Sequence, residues 1–316
     1  MASSHPHAIP ELIYTPPLTS EPAQSPSGSA NISIREYIYF LPHPLPSGTP
    51  VPYTPGLPST NPLNLPAQPF EPTSTLVLTS PGRTFVDLRY LKPIGKNESE
   101  LPNAGESKRL EWGFAGTSAS APAKGSPHKQ FGAFSHSMWE HWLDSRVKVG
   151  EQIPVDEGDM YDLGEGLFLE NGHAFHPHLG RVAGHEELWR DVPVFSESTD
   201  NEKWKKGKVC IVLRCEDKEE GIRGVVVRVG QFCQGILMHG EVVTTERWEF
   251  KDDESVGEET DGKADVPEEK GWRRMARTGD AFLPCSVTFR TDAVKLGGNV
   301  RYGGLEWRVE EVWVWN

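Results

Sequence analysis

The chain lacks the features that would assign it to a membrane or to the secretory pathway. It has no run of about 18 consecutive apolar residues, so the sequence predicts no helix that spans a bilayer. Residues 1–10 contain neither a basic region nor an apolar core, and we therefore expect no secretory signal. These absences predict a soluble protein of the cytoplasm, with the nucleus left open as a second location.

Cysteine is scarce, and its spacing is uninformative. The chain has four, Cys210, Cys215, Cys233 and Cys285, and no two of them form a Cys-x-x-Cys pair. In a reducing compartment we expect free thiols that pack as small apolar groups. The spacing argues against a disulfide framework or a cysteine-ligated metal.

Positive charge is also in short supply. Lysine and arginine total 32 against 45 aspartates and glutamates, which gives a formal net charge of −13. A protein that binds nucleic acid or an anionic membrane needs a basic surface to neutralise phosphates. The sequence therefore predicts neither nucleic acid nor a membrane as a partner.

Catalytic motifs are missing as well. No G-x-S-x-G elbow occurs, and the glycine pairs at 297–298 and 303–304 lack the lysine that follows in a phosphate loop. These pairs are typical of hairpin turns. The sequence predicts no enzyme, no catalytic residue and no cofactor.

Glycine and proline, in contrast, are plentiful at 31 and 27 residues, and long helical stretches are absent. This composition favours strands joined by turns. Eighteen of the prolines lie before Gly82. We expect a disordered Pro-rich lead at 1–30, a first strand-like segment at 32–40, and a Pro-rich insertion at 42–72.

From Ser74 onward, short strands recur about every ten residues with turn signals between them, as in a β-sandwich or barrel. The alternation of Leu110, Trp112 and Phe114 places their side chains on one face of a strand. A polar stretch at 196–206 separates two predicted β units, at 31–195 and 205–316.

The second unit carries two further signals. Residues 251–270 contain nine acidic residues and three lysines with almost no apolar side chains, which predicts a disordered loop. Glu310 and Glu311 interrupt the alternation of the last strand, so we expect a β-bulge there.

Several short motifs follow one another in order between residues 75 and 315. They are LEWGFAGT at 110–117, WLD at 142–144, EELW at 186–189, IVL at 211–213, GIL at 235–237 and GLEWRV at 304–309. With this order the chain resembles a small fungal family named for its interaction with a casein kinase I. The resemblance implies two tandem lipocalin-like (calycin-type) antiparallel β-barrels and a casein kinase I-type partner, and it assigns no catalytic residues.

His173, His176 and His178 follow an H-x-x-H-x-H pattern, the spacing here that comes nearest to a metal site. Three further side chains could complete a zinc site with them: Asp159, Asp162 and His185. Pro177 and Gly180 break regular structure, which favours a solvated loop, and no metal is predicted. The acidic stretch 156–170 does not follow the spacing of a calcium loop and is interpreted as a solvated acidic face.

Tryptophan is the most informative residue type, with ten copies. We select four as barrel-lining or core residues: Trp112, Trp142, Trp189 and Trp307. Tryptophans can fill a barrel or line a cavity for one small apolar ligand, and filling is favoured because tryptophan is mostly a core residue. Trp112 and Trp307 are predicted to be core residues in matching roles, one in each barrel.

Ser255 is a candidate phosphorylation site. Acidic residues flank it on both sides in the segment 252–259. Acid-directed casein kinases recognise such sites through basic pockets that pair with the flanking carboxylates. An uninterpreted acidic linker is the alternative.

Three functions are compatible with these patterns. The first is a non-enzymatic interaction protein with a kinase partner, and the second is a carrier of a small apolar ligand in a barrel cavity. The third is a calycin-fold pericyclase-type enzyme, which would act by positioning a reactive polyene. A cavity inside a barrel would favour the second and third over the first.

Overall fold

The structure is a computed structural model, and it describes residues 11–17, 28–54, 64–65, 67–96, 98–124, 127–177, 179–197, 207–251, 271–291 and 293–316. Within these ranges the chain is mostly β, as predicted, with sixteen strands and two short 3-10 helices, Ser107–Arg109 and Cys285–Phe289. Ser255, His178 and the acidic segment 252–270 lie outside the described residues, as does most of the Pro-rich lead. Among the residues described, no helix is both long and apolar enough to cross a membrane.

The first strand, β1 (Ile13–Thr15), precedes a closed antiparallel barrel. The barrel strands follow in chain order: β2 (Asn31–Leu41), β3 (Thr73–Thr79), β4 (Thr84–Leu91), β5 (Leu110–Pro122), β6 (Ser135–Asp144), β7 (Asp156–Gly164), β8 (Leu167–His176) and β9 (Arg181–Asp191). Strand β9 pairs back onto β2, with Leu41 beside Gly184, and this pairing closes the barrel. Closure leaves no free sheet edge in this unit.

The remaining strands form one eight-stranded antiparallel sheet with β1. They are β10 (Lys208–Asp217), β11 (Ile222–Val229), β12 (Phe232–His239), β13 (Val242–Lys251), β14 (Gly271–Thr278), β15 (Asn299–Tyr302) and β16 (Leu305–Trp315). The order is β1-β15-β16-β10-β11-β12-β13-β14, so β1 and β14 are the end strands. Backbone pairing within the described ranges therefore closes one barrel, where the family resemblance implied two.

The predicted disorder of residues 1–30 does not hold for 11–17. Strand β1 pairs with β15, with Tyr14 beside Val300. Leu12 and Tyr14 pack against the core of the second sheet, and the Tyr14 hydroxyl oxygen accepts a hydrogen bond from the Lys295 backbone N–H at 2.9 Å. A three-residue strand has too little periodicity to be recognised in sequence, because tertiary contacts stabilise it.

The described part of the Pro-rich insertion packs against the outer wall of the barrel. The Tyr53 ring stacks on Tyr39 of β2 at a centroid distance of 6.0 Å. The buried Glu186 carboxylate of β9 accepts hydrogen bonds from the backbone N–H groups of Tyr53 and Thr54. The insertion is thus fastened to the strand that closes the barrel.

The outer face of the barrel is apolar where the second sheet covers it. Along β4, Val86, Leu88 and Tyr90 point outward into a core that also contains Val225 and Ile236 of the second sheet. This arrangement places a shared core between the two units. All four cysteines are buried free thiols, and Cys210 belongs to this core.

Both faces of the second sheet are buried. Val225 and Val227 of β11 face the barrel, while Val226 between them belongs to a separate core with Trp307. The nearly continuous apolar runs at 209–215 and 224–230 follow from this, since a strand covered on both faces does not alternate in polarity.

Two long polar side chains cross the interface between the units. Gln234 donates from Nε2 to the backbone carbonyl of Leu76 at 2.8 Å. Arg247 donates to the carbonyl of Leu88 at 2.8 Å and to the Gln234 side-chain oxygen at 2.8 Å. Both residues are buried, and burial lowers the pKa of the Arg247 guanidinium. These bonds fix the register between units because an unpaired group here would be costly.

The predicted β-bulge in the last strand is confirmed. In the pairing of β10 with β16, Val212 lies opposite Glu311 and Leu213 opposite Val309, so Glu310 is the extra residue. The bulge turns the Glu311 carboxylate toward the β3–β4 turn. There it accepts hydrogen bonds from three groups of the barrel: Ser80 Oγ at 2.8 Å, Gly82 N–H at 3.0 Å and Thr84 Oγ1 at 2.8 Å.

Replacing Glu311 with alanine is expected to lower the free energy of unfolding by about 1–3 kcal/mol, because buried donors lose their acceptor. Glu310→Ala is the matched control, since Glu310 pairs with Arg214 at 2.9 Å through a side chain that is 36% exposed. Such a surface pair contributes about 0–1 kcal/mol. Urea denaturation compares the two variants, and equal losses would show that Glu311 does not fasten the units together.

Candidate functional site

The interior of the barrel contains two cavities, of about 340 Å³ and 440 Å³. The smaller one is lined by the start of β2 and the end of β3, and the larger one by the opposite ends of those strands. Both are lined by Arg89, Asp156 and Glu170, which therefore lie where the cavities meet. The tryptophans do not fill this barrel.

The smaller cavity, which we call the serine-side cavity, is lined by hydroxyl groups and aromatic rings. Six of the seven hydroxyl groups come from alternate positions of neighbouring strands, and the seventh is that of Ser29 before β2. The six are Ser33, Thr79, Ser118, Ser120, Ser135 and Ser137. The rings are those of Phe85, Phe114, Trp139, Phe168 and Trp189. The period of two along each strand brings these side chains to the inner face.

A network of buried ion pairs crosses the barrel. Arg89 donates to Asp87 Oδ2 at 2.8 Å, and its Nη1 lies 3.5 Å from Glu187 Oε1. Arg35 bonds to the same Glu187 oxygen at 2.7 Å and to Glu71 at 2.7 Å. Burial opposes ionisation of Glu187, but Arg35 and Arg89 outweigh it and lower the pKa of that carboxyl.

Arg89 is also surrounded by aromatic faces. Its guanidinium carbon lies 4.9 Å from the ring centroid of Trp112, 5.3 Å from that of Phe114 and 5.9 Å from that of Trp189. The negative ring faces attract the cation, and neighbouring carboxylates raise the Arg89 pKa despite its burial. Arg89 is therefore charged at the centre of the barrel.

Asp87 is incompletely satisfied. Its Oδ2 pairs with Arg89, but its Oδ1 is buried and has no hydrogen-bond partner among the described residues. The side chain lines the serine-side cavity, and burial raises its pKa despite the adjacent Arg89. An unpaired buried oxygen of this kind marks a place where a ligand can donate a hydrogen bond.

The larger cavity, which we call the histidine-side cavity, contains His176 and His185, whose ring nitrogens are 3.3 Å apart. His185 Nε2 lies 3.6 Å from Glu170 Oε1, and Trp189 Nε1 donates to Glu170 Oε2 at 2.9 Å. Burial alone would lower the pKa of His185, but the neighbouring carboxylates of Glu170 and Glu187 outweigh burial, and the pKa is raised.

The candidate zinc ligands are dispersed. His176 and His185 come together, but the His173 ring stacks on His43 at 4.4 Å. An Asp159 carboxylate oxygen lies 2.9 Å from His136 Nδ1. Asp159 and Asp162 are three residues apart in β7, so their side chains point to opposite faces of the strand. In the part of the chain that the structure describes, no group of three or more histidine, cysteine or acidic side chains could hold a metal ion.

The four selected tryptophans have different roles. Trp112 is half-buried in the histidine-side cavity, where Nε1 donates to Asp144 at 2.8 Å, and Trp189 lines the serine-side cavity. Trp142 lies outside the barrel, with Arg214 and Arg223 of the second sheet 4.4 Å and 5.1 Å from its ring centroid. Trp307 is fully buried in the core of the second sheet. Trp112 and Trp307 thus do not occupy matching positions.

Sequence reasoning missed the charged interior altogether. Asp87 and Arg89 alternate with apolar residues inside a strand, and His185 and Glu187 are likewise two residues apart in theirs, with Glu186 between them. Charged residues two apart in a strand share a face, so this spacing was the available signal. It was easily passed over, because the apolar residues on either side of Asp87 suggested an ordinary half-buried strand.

The fold and the site together define a β protein with a charged, cavity-containing barrel packed against a second sheet. The model of the family described as "Protein HRI1" matches residues 61–311, and the chain therefore belongs to the HRI1 family.

One solved structure is similar across almost the whole chain: the crystal structure of the uncharacterized protein YLR301w from Saccharomyces cerevisiae. It is 19% identical, with a TM-score of 0.59, and the match covers 90% of this chain and 99% of that one. At this identity the likeness shows a shared fold. Among curated proteins, the search finds no significant match.

Proposed function

We propose that the barrel binds a small polar molecule in the serine-side cavity. The observation that carries this proposal is the combination of an unfilled interior of about 340 Å³ with a lining carboxylate, Asp87, one oxygen of which is buried and has no hydrogen-bond partner in the part of the chain that the structure describes. Ligand sites typically occupy about 300–1,000 Å³ and combine apolar walls with a few placed polar groups. An eight-stranded barrel has room for one small ligand.

The lining argues for a polar guest in place of the apolar ligand considered from sequence. Asp87, Asp156 and Glu170 face this cavity, and a purely apolar molecule would remove their solvation without replacing it. The same argument disfavours a polyene substrate for a pericyclase. Because the central arginines and carboxylates are committed to one another, we propose a non-enzymatic binding protein of the cytoplasm.

Blocking the cavity tests this proposal. Ser118 is half-buried and lines the cavity, whereas Thr117 beside it is exposed on the opposite face of β5. We expect Ser118→Leu to abolish ligand retention in native mass spectrometry and ligand-induced thermal shifts in a metabolite screen. Thr117→Leu is the matched control and should behave as the wild type. Identical ligand profiles for all three proteins would contradict a binding role for the cavity.

A protein partner of the casein kinase I type is a second candidate. Its support is the sequence resemblance together with an exposed apolar pair on the β8–β9 hairpin: Phe175 and Val182 face each other across the strands and are 56% and 41% exposed. The two side chains form a small exposed apolar patch, and contiguous apolar patches can mark contact surfaces.

An affinity capture from lysate, read by mass spectrometry, tests the kinase candidate with the double variant Phe175→Ser/Val182→Ser as control. We expect a kinase to be captured by the wild type and lost with the variant. The captured kinase should also phosphorylate Ser255, and Ser255→Ala should remove that phosphopeptide without a shift in thermal midpoint. Capture that is unaffected by the double variant would exclude the hairpin as the contact.

A further inference from the structure

We infer that the serine-side cavity takes a neutral, polyhydroxylated molecule of the carbohydrate type, with one ligand hydroxyl donating to Asp87 Oδ1. This inference rests on the proposed binding function and specifies the chemical class of the ligand. Three properties of the cavity carry it: its balance of charge, the position of Arg89, and its ring of hydroxyl groups.

The charge of the lining disfavours an anionic ligand. Four carboxylates face the cavity, those of Asp87, Asp156, Glu170 and Asp191, against the two guanidinium groups of Arg83 and Arg89. Arg89 is already paired with Asp87 and Glu187. A carboxylate or phosphate group would enter an acidic cavity whose central cation is engaged elsewhere.

The position of Arg89 disfavours a cationic ligand. An ammonium group that approached Asp87 Oδ1 would lie close to the guanidinium that already holds Oδ2 of the same carboxylate at 2.8 Å. The two cations would repel each other at low dielectric. The faces of Trp112, Phe114 and Trp189, which could otherwise attract an amine, already surround Arg89.

A neutral hydroxyl group satisfies Asp87 without either penalty. It donates a charge-assisted hydrogen bond to the Asp87 oxygen that has no partner among the described residues, on a side chain that is 2% exposed. Serine and threonine hydroxyls both donate and accept, and seven of them line the cavity. A ligand with several hydroxyl groups can exchange donor and acceptor roles with such a ring.

The aromatic rings supply the second half of a carbohydrate site. Trp139 and Phe168 line the same cavity as the hydroxyl groups. One face of a sugar ring carries C–H groups, and these pack against the flat surface of an aromatic side chain. The cavity of about 340 Å³ is small enough that we expect a ligand of one or two rings.

Isothermal titration of the full-length protein with three probe sets tests the inference. The sets are neutral sugars and cyclitols (glucose, trehalose, maltose, inositol), organic amines (choline, tyramine) and carboxylates (benzoate, hexanoate). We expect a member of the first set to bind and Asp87→Asn to raise its Kd at least about tenfold, since a charge-assisted bond is lost. Asp217→Asn, at the exposed end of β10, is the matched control and should leave Kd unchanged.

Two further variants keep the test decisive if Asp87→Asn does not fold. Ser120→Ala at the exposed end of β5 should weaken sugar binding, and Ser118→Leu should abolish it. If amines or carboxylates bind the wild type and Ser118→Leu blocks that binding, the ligand is not a carbohydrate, but the proposed binding function still holds. If no sugar binds the wild type at millimolar concentration, the carbohydrate inference is wrong. If, in addition, the wild type and Ser118→Leu retain the same ligands in native mass spectrometry, the proposed binding function is wrong as well.

Discussion

Replacing Trp307 with alanine is expected to lower the free energy of unfolding by about 3–5 kcal/mol, a large part of the roughly 5–15 kcal/mol that stabilises a domain. The side chain is 1% exposed and is among the largest fully buried ones in the described residues. Gly224 on β11 makes room for it: a Cβ at that glycine would lie 2.4 Å from the Trp307 ring. Removal of the indole therefore leaves a cavity beside a residue that has no side chain to fill it.

Trp307→Phe provides the control for this prediction. The indole Nε1 of Trp307 is buried without a hydrogen-bond partner in the described part of the chain, so phenylalanine loses volume but also removes an unsatisfied donor. We expect Phe to cost much less than Ala in chemical denaturation followed by circular dichroism. A soluble Ala variant with an unchanged midpoint would place Trp307 outside the core.

Trp112→Ala should behave differently, because Trp112 is half-buried at a cavity. Its loss enlarges an existing space and removes one of the hydrogen bonds to Asp144, which keeps those from His141 and the Arg146 backbone N–H. A comparison of the two alanine variants therefore separates the core tryptophan from the cavity tryptophan, which the sequence had treated as equivalent.

The second large effect is expected for Arg89→Met. This change leaves Asp87 and Glu187 buried near each other without their shared cation, and breaking a buried pair in this way costs about 3–5 kcal/mol. Arg190→Met removes an arginine that pairs with Glu36 where both side chains are more than a third exposed, and there we expect about 0–1 kcal/mol.

The pH dependence and a rescue variant identify the cause. Without Arg89, the buried carboxyl of Asp87 loses its bonded cation and burial raises its pKa further, whereas Glu187 keeps its bond to Arg35. Protonation of Asp87 then stabilises the fold at low pH, and this contribution is lost as the pH rises. The deficit of Arg89→Met should thus be larger at pH 8 than at pH 5. Adding Asp87→Asn to Arg89→Met should restore part of the stability. A loss of stability that changes neither with pH nor with the second substitution would point to lost packing instead of lost charge.

The buried ion pairs also explain why the barrel interior stays unfilled. Arg35, Arg89, Glu71 and Glu187 bond to one another across the barrel. Charged side chains that are held in such a network cannot rearrange to close the space beside them without breaking pairs. The network thus acts as a rigid wall between the two cavities, which is the preorganisation that a binding site requires.

By itself, the sequence determined that the chain is built from short antiparallel strands. Turn residues, the alternation of strands such as Thr84–Leu91 and the interrupted phase at Glu310 are local properties of neighbouring residues. The β-branched residues of β10 and β11 are likewise typical of strands. Each of these signals is contained within about ten residues, so it survives without knowledge of the fold.

Only the tertiary structure decided which face of the barrel strands lies inside. A period of two separates Val86 and Leu88 from Asp87 and Arg89, but it does not say which pair points to the barrel axis. That choice depends on the second sheet, which covers the apolar outer face. The interior charges are then balanced by distant partners, such as Arg35 and Glu187, 152 residues apart. No local pattern records a contact over that separation, because chain closure alone brings the two residues together.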